Sequence, residues 1–291
     1  MHAVTDQLMP FMKQAGLYRR LKASAIHDLY WRMTDRRWID GRCREVDFYR
    51  NLLTGYRAGD LIFDVGANEG AKVDVFLRLG ARVIAAEPDE MNQRVLRDKF
   101  QRYRLFPKPV FIVGKAVSDK NSTETMWIDG PGSAVNTMSP KWVQSLKTNK
   151  ANFHHSHQGL DFARRRAVET VTLDQLILTH GMPFFIKIDV EGYEVNVLRG
   201  LSAPVPFVSF EVNLPDFKPE GLECVELLRG IAQGGTFNYA VDCQNGLMLE
   251  QWLGAGDFSH ELDRCGEKTI EVFWKSSHPY SRERQKETVA R

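Results

Sequence analysis

Two groups of residues in this chain combine types and spacings that suit chemistry. The first is Asp64, Gly66, Asn68 and Gly70 in DVGANEG, with Glu87 21 residues after Gly66. A short apolar run that ends in an acid and a glycine, with a second glycine opening a helical stretch, lets a ligand come close to the backbone. Glu87 closes the next apolar run, where a carboxylate can accept hydrogen bonds from two ribose hydroxyls. A pyrophosphate-binding turn would read GxGxxG and receive phosphate at a helix N-terminus. Here the turn is GANEG, and Glu69 adds negative charge where phosphate would lie. The pattern favours a nucleoside with an amino-acid tail, its ammonium met by Asp64 or nearby backbone groups and its ribose by Glu87. S-Adenosylmethionine is that ligand, and its sulfonium needs no phosphate site. Asp119, in KAVSD, is a candidate for the adenine side, with a surface turn as the competing reading.

The second group is Asp189 and Glu191 in KIDVEG, with Glu211 and Asn213 in FEVN. Methyl transfer from a sulfonium is an in-line displacement, which needs a positioned nucleophile and an acceptor for its proton. Asp189 or Glu211 is the expected proton acceptor for a hydroxyl, directly or through water. Glu191 is a further acid of the site or a cap on the following helix, and Lys187 an electrostatic partner of these acids. Asp189, Glu211 and Asn213 also make an oxygen donor set for Mg²⁺, as in similar sites of metal-dependent catechol-type methyltransferases. In HHSH, His154, His155 and His157 lack an evident set of distant zinc ligands. His155 is a candidate general base, because neutral imidazole takes a proton near pH 7; a solvated loop is the other reading. Arg164, Arg165 and Arg166 can meet an acidic substrate or keep their segment soluble, and Tyr193 can line the pocket or pack the next helix.

The elements that must position these residues follow from apolar runs alternating with helical stretches. Strands are expected at Leu61–Gly66, Val83–Ala86, Val110–Asp119, Glu169–Thr172, Phe184–Asp189, Val205–Asn213 and Thr269–Trp274. Helices are expected at Ala71–Leu79, Met91–Phe100, Leu173–Leu178, EVNVLRG and Leu222–Arg229. This alternation predicts a mostly parallel sheet covered on both faces. Residues 1–58, with Leu17, Leu21, Ile26, Leu29 and Tyr30 among charged positions, read as a helical extension that covers the core, or as a membrane-surface or dimerising arm. Residues 59–275 form the main domain, with a loop-rich insertion at about 122–166 that carries GPGSAVNTMSP and a short helix near Trp142–Leu146. Residues 276–291 are polar and read as an exposed tail.

Composition narrows the classes. With 39 Lys plus Arg against 37 Asp plus Glu, a net charge of +2 supplies no uniform field for nucleic acid, although a local patch can still draw an anion. The four cysteines, Cys43, Cys224, Cys243 and Cys265, are too scattered for a CxxC metal or redox pair. No stretch has the length of a secretory signal core or of a membrane span, so the expected location is cytoplasmic.

In LIFDVGANEG, VIAAEPDE, KAVSD, VTLDQL, FFIKIDVEGYEVNVLRG and FVSFEVN, in that order, the chain resembles the FkbM family of S-adenosylmethionine-dependent methyltransferases. The resemblance covers roughly residues 59–275. It implies a class I, Rossmann-like α/β fold with a seven-stranded sheet whose last strand is antiparallel, and methyl transfer usually to a hydroxyl oxygen of a small molecule. It leaves the acceptor unnamed and covers the first residues and the His/Arg-rich segment poorly. Two other classes stand beside it: a non-catalytic S-adenosylmethionine-binding or scaffolding protein, and a nucleic-acid methyltransferase, for which no NPPY-type base-flipping motif is present.

Overall fold

The computed structural model describes residues 36–100, 109–148 and 160–280. The chain begins with α1 (Arg36–Leu52), β1 (Leu61–Val65), α2 (Ala71–Arg78), β2 (Arg82–Ala86), α3 (Glu90–Lys99) and β3 (Val110–Val113). All five residues of β1 are buried, as a parallel strand covered on both faces requires. Asp89 starts α3 by accepting the N–H groups of Met91 and Asn92, two donors that the helix itself cannot satisfy. Next come β4 (Ala116–Val117), β5 (Thr123–Ile128), α4 (Pro140–Thr148), β6 (Arg164–Val171) and α5 (Leu173–His180). The last part holds β7 (Phe185–Ile188), α6 (Glu194–Arg199), β8 (Phe207–Asn213), α7 (Lys218–Ile231), β9 (Thr236–Ala240), β10 (Leu253–Gly254), α8 (Ala255–Arg264) and β11 (Thr269–Lys275).

The main sheet has eight strands in the order β10-β9-β11-β8-β7-β1-β2-β3. β1 runs parallel to β2 and β7, β7 parallel to β8, and β11 antiparallel to both β8 and β9. This is the class I arrangement expected, with β10 as one edge strand more. From β1 the chain winds outward through β2 and β3, then returns to the other side of β1 with β7 and β8. Loops leaving β1 and β7 therefore diverge, and a crevice opens between them. Pairing of Val65 with Ile188 sets the next residues, Gly66 and Asp189, side by side at its floor. One face of the sheet is packed by α1, α2 and α3 around Tyr49, Phe76, Phe185 and Phe273. The other is packed by α4 to α8 around Leu146, Phe210, Leu228 and Phe258. A fully buried side chain of that size contributes about 2–3 kcal/mol, so the two faces hold the strand ends rigidly.

Several expectations need correction. The single strand expected over Val110–Asp119 is two, because the chain turns at Gly114 and Lys115 and leaves the main sheet. β4 then joins a separate three-stranded sheet, β4-β6-β5. The segment expected to be loop-rich, about 122–166, thus contains β5, α4 and the start of β6. Its strands were hidden because their partners are remote in sequence: Thr123 faces Glu169 and Ile128 faces Arg164. The exposed half of β6 also carries Arg164 and Arg165 where an apolar alternation would have signalled a strand. Between Arg229 and Thr269 three elements were not anticipated, β9, β10 and α8. The described start of the presumed tail is tied down, with the Tyr280 ring 5.1 Å from that of Phe184. α1 lies on the core through Tyr49, whose ring sits 5.2 Å from Phe76 and 5.8 Å from Phe185. Leu17, Leu21, Ile26, Leu29 and Tyr30 lie outside the described residues. Among the described residues no helix is long and apolar enough to cross a membrane.

Candidate active site

The crevice is a cleft with about 100 Å³ of free room, open on one side. Its floor is the turn after β1. Gly66 has φ +82°, and a Cβ there would sit 1.8 Å from the carbonyl oxygen of Asp189, so only glycine lets the ends of β1 and β7 meet. Asn68 follows at φ 47°, a left-handed conformation that asparagine tolerates. At the end of β2, Glu87 is buried and accepts the N–H of Asn68 at 2.8 Å and of Asp89 at 2.7 Å. Burial raises its pKa to about 7, against the lowering effect of those two donors. The side chain of Asn92 also bonds Glu87, and the Oδ1 atoms of Asn68 and Asn92 are buried without a hydrogen-bond partner. Val117, Met126, Met138 and Tyr193 give the cleft wall an apolar side.

At the other end of the cleft the turn after β7 gathers three acids. Asp189, Glu191 and Glu211 each offer an oxygen within 4.8 Å of the others. Glu191 holds φ 58°, an uncommon conformation for its type, and its carbonyl accepts the Thr137 hydroxyl at 2.7 Å. Burial, together with the nearby Asp189 carboxylate, pushes Glu191 and Glu211 well above the usual carboxylate range. Burial would raise Asp189 too, but the Lys187 ammonium and a hydrogen bond from Glu211 outweigh it and hold Asp189 low. Lys187 Nζ lies 2.7 Å from Asp189 Oδ2. Glu191 does not cap the following helix, which has no side-chain cap; Glu194 Oε1 instead accepts the N–H groups of Val190 and Gly192 in the turn before it.

A strap formed by residues 129–139 crosses the cleft between these two ends. At the β2 end, Gly132 N–H and Asn136 Nδ2 donate to the Asp89 carboxylate, at 3.2 and 3.3 Å. At the β7 end, Thr137 bonds Glu191. GPGSAVNTMSP therefore encloses the cleft rather than hanging outside it.

Of the residues expected to hold the cofactor, Gly66, Asn68 and Glu87 line the cleft. Gly70 does not: a Cβ there would strike Phe100 and Leu96, so this glycine seats α2 against α3. Asp64 points under the turn, 1% exposed, with both oxygens lacking a hydrogen-bond partner. Burial, opposed by the Lys187 and Lys72 charges, raises its pKa to about 6. Asp119 does not line the cleft; it is exposed and accepts the Ser118 hydroxyl, while Lys115, Ala116 and Val117 of the same segment are in the lining. Asn213 is apart from the three gathered acids and accepts the Thr269 hydroxyl at 2.9 Å. His155, with His154 and His157, lies outside the described residues. Arg166 donates to Pro88 O and pairs with Asp89, and Arg165 lies over the Trp127 ring, so both brace the small sheet beside the cleft. Asn92, Asn136 and Thr137 were missed. Asp89 as an N-cap pointed toward Asn92, but nothing in the strap's composition marks which residues anchor it.

The crevice at the sheet's reversal, its glycine floor and its buried ribose-ready carboxylate agree with the comparison by family. The model of the methyltransferase FkbM domain matches residues 64–234, more than half of the chain. The chain belongs to the FkbM methyltransferase family. It is an S-adenosylmethionine-dependent methyltransferase. No curated protein matches it. Among solved structures, it is similar to a SAM-dependent methyltransferase from Agrobacterium tumefaciens, with 9% identity, 81% of this chain and 62% of that chain covered, and a TM-score of 0.38. A putative RNA methyltransferase from Pyrococcus horikoshii matches with 12% identity, 81% and 82% coverage and a TM-score of 0.38. The plantazolicin methyltransferase BpumL, in complex with SAH, matches with 12% identity, 94% and 100% coverage and a TM-score of 0.38.

The cleft fits the cofactor. Asn68, Glu87, Asn92 and Asn136 line it with groups that suit the hydroxyls and amino group of S-adenosylmethionine, and among the described lining residues the charged ones are Glu87, Asp189 and Glu191 with one cation, Lys115. Such a lining repels phosphate. Magnesium fits poorly, because a buried ammonium already sits on Asp189 and the third expected donor, Asn213, is occupied by Thr269.

Proposed function

We propose that the chain transfers the methyl group to a hydroxyl oxygen of a small molecule. The observation that carries this reading is the cluster of Asp189, Glu191 and Glu211 at one end of the cofactor cleft. Bound S-adenosylmethionine supplies an electrophilic methyl group on its sulfonium. Glu87, with Asn68 and Asn92 beside it, holds the ribose end, and the Gly66 turn lets the remainder lie against the backbone. Asp189, held low in pKa beside the Lys187 ammonium, is our candidate to accept the hydroxyl proton, with Glu211 beside it in the cluster. Met126, Met138 and Tyr193 exclude water from one wall, and the strap excludes it from above. We take residues 59–275 as the catalytic unit, with residues 1–58 as its extension.

The test is transfer of a deuterated methyl group from S-adenosylmethionine to a panel of hydroxylated metabolites, with RNA and DNA as parallel acceptors, read by mass spectrometry. A mass gain on an oxygen of a small molecule is expected. Transfer confined to nucleic acid or to nitrogen would refute the reading. Binding of S-adenosylhomocysteine with no transfer to any acceptor would favour a scaffolding role.

A further inference from the structure

The acidic end of the cleft has the shape of a metal site and the contents of a different one. Three carboxylates converge within 4.8 Å, on the ends of adjacent strands β7 and β8. A divalent cation is one way to offset such crowded charge. Here a side chain does so. Lys187 precedes Asp189 by two residues, so both project from the same face of β7, and β7 is held by hydrogen bonds to β1 on one side and β8 on the other. The lysine side chain is 4% exposed, and its Nζ touches Asp189 Oδ2 at 2.7 Å.

The ammonium is also fixed from behind. Lys187 pairs in register with Asp64 of β1, a buried carboxylate with no hydrogen-bond donor of its own. Across β8 stands Glu271 of β11, which accepts the Ser209 hydroxyl at 2.7 Å, the Tyr49 hydroxyl at 3.3 Å and the Cys243 thiol at 3.2 Å. These three donors are neutral, so Glu271 keeps its charge and attracts Lys187 and Lys72. Lys187 thus has carboxylates before and behind it, and a buried ammonium so placed has no favourable way to withdraw into water. A dication on Asp189 would also sit next to a fixed positive charge, since Lys187 Nζ is 2.7 Å from its Oδ2.

We propose that the Lys187 ammonium takes the place of a divalent cation at the acidic end of this cleft, so that the methyl-acceptor site works without bound magnesium. Lys187 is a positioning residue: it acts through Asp189 and touches neither cofactor nor acceptor. This rests on reading the acid cluster as the acceptor end.

The experiment is a titration of the metal-stripped full chain with Mn²⁺, following the free ion by electron paramagnetic resonance, for wild type, Lys187→Ala, Lys187→Met, Lys187→Arg and Asp189→Asn. Circular dichroism checks that each variant is folded. Wild type and Lys187→Arg should retain no Mn²⁺ at millimolar concentration. Lys187→Ala and Lys187→Met should each retain one ion per chain, lost again when Asp189→Asn is added. Wild-type retention of one Mn²⁺ that Asp189→Asn abolishes would overturn the proposal, and this arm needs no lysine variant to fold. Folded Lys187→Ala and Lys187→Met chains that bind no Mn²⁺ would overturn it equally. S-Adenosylhomocysteine binding, measured by calorimetry on the same samples, tests the cleft separately: a chain that binds the nucleoside but methylates no hydroxyl sinks the proposed reaction and leaves the Mn²⁺ result standing.

Discussion

Glu87 should make cofactor binding depend on pH in a calculable way. Its carboxyl is buried, and burial raises its pKa from the ordinary 4.5 to about 7 in the free protein. Ribose hydroxyls that donate to it stabilise the ionised form, so binding selects the deprotonated state and lowers its pKa. The sign follows: affinity rises with pH through about 7, and binding releases a proton below it. At pH 6 roughly nine-tenths of the free protein carries that proton, whereas at pH 8 roughly a tenth does. The apparent dissociation constant at pH 6 should therefore exceed that at pH 8 about tenfold, or about 1.4 kcal/mol. Calorimetry of S-adenosylhomocysteine binding at pH 6, 7 and 8, in buffers of different ionisation enthalpy, measures both affinity and proton release. The ligand's own amine and Asp64, whose pKa is about 6, also titrate, but they do so in Glu87→Gln as well. The difference between wild type and Glu87→Gln isolates the carboxyl. An affinity that is flat between pH 6 and 8, or a slope that is the same in Glu87→Gln as in wild type, would refute the reasoning.

Other substitutions probe the remaining parts. Gly66→Ala forces a Cβ to 1.8 Å from Asp189 O at φ +82°, and should lower stability by more than about 3 kcal/mol in denaturant unfolding. Asp189→Asn should slow methyl transfer by about 10²-fold or more while leaving S-adenosylhomocysteine affinity nearly unchanged; loss of affinity with intact turnover would reverse its role. Thr137→Val removes the strap's 2.7 Å bond to Glu191 O, worth about 1 kcal/mol, and should speed nucleoside release about fivefold in stopped-flow measurements. Glu194 is buried, with its pKa raised from 4.5 to about 7, so its ionisation destabilises the fold above pH 4.5 and fully so above pH 7. Glu194→Gln escapes that loss, and its melting temperature relative to wild type should climb between pH 5 and pH 8.

Much of the main sheet was legible because its strands are continuous apolar runs, which burial on both faces demands. LIFDV, RVIAA and FIKI could be placed to within two residues. β9 was not, since TFNYA is broken by a polar residue. Asn238 is tolerated there because its amide pairs with Leu249 N and O, 11 residues on, a contact that no local pattern announces. In the small sheet β5 and the first half of β6 were missed for a similar reason: they pair with each other across some forty residues, and an arginine run covers the exposed part of β6. α8, with Ala255, Phe258 and Leu262 buried on one stripe, carried a readable helical period that went unread.

By itself the sequence marked the floor and one wall of the cleft. Gly66 and Glu87 are tied to local events, a turn too tight for a side chain and a carboxylate at a strand end, so residue type and spacing were enough. The acids of the other end were also named from the sequence, but their convergence and their counter-charge were decided only by the tertiary structure. Which acids converge depends on β7 and β8 lying side by side, and their charge depends on Lys187 being held between Asp189 in front and Asp64 and Glu271 behind, on three different strands. Long-range packing sets those neighbours, and in a poorly screened interior the neighbours decide whether a carboxylate holds a proton, a metal or an ammonium.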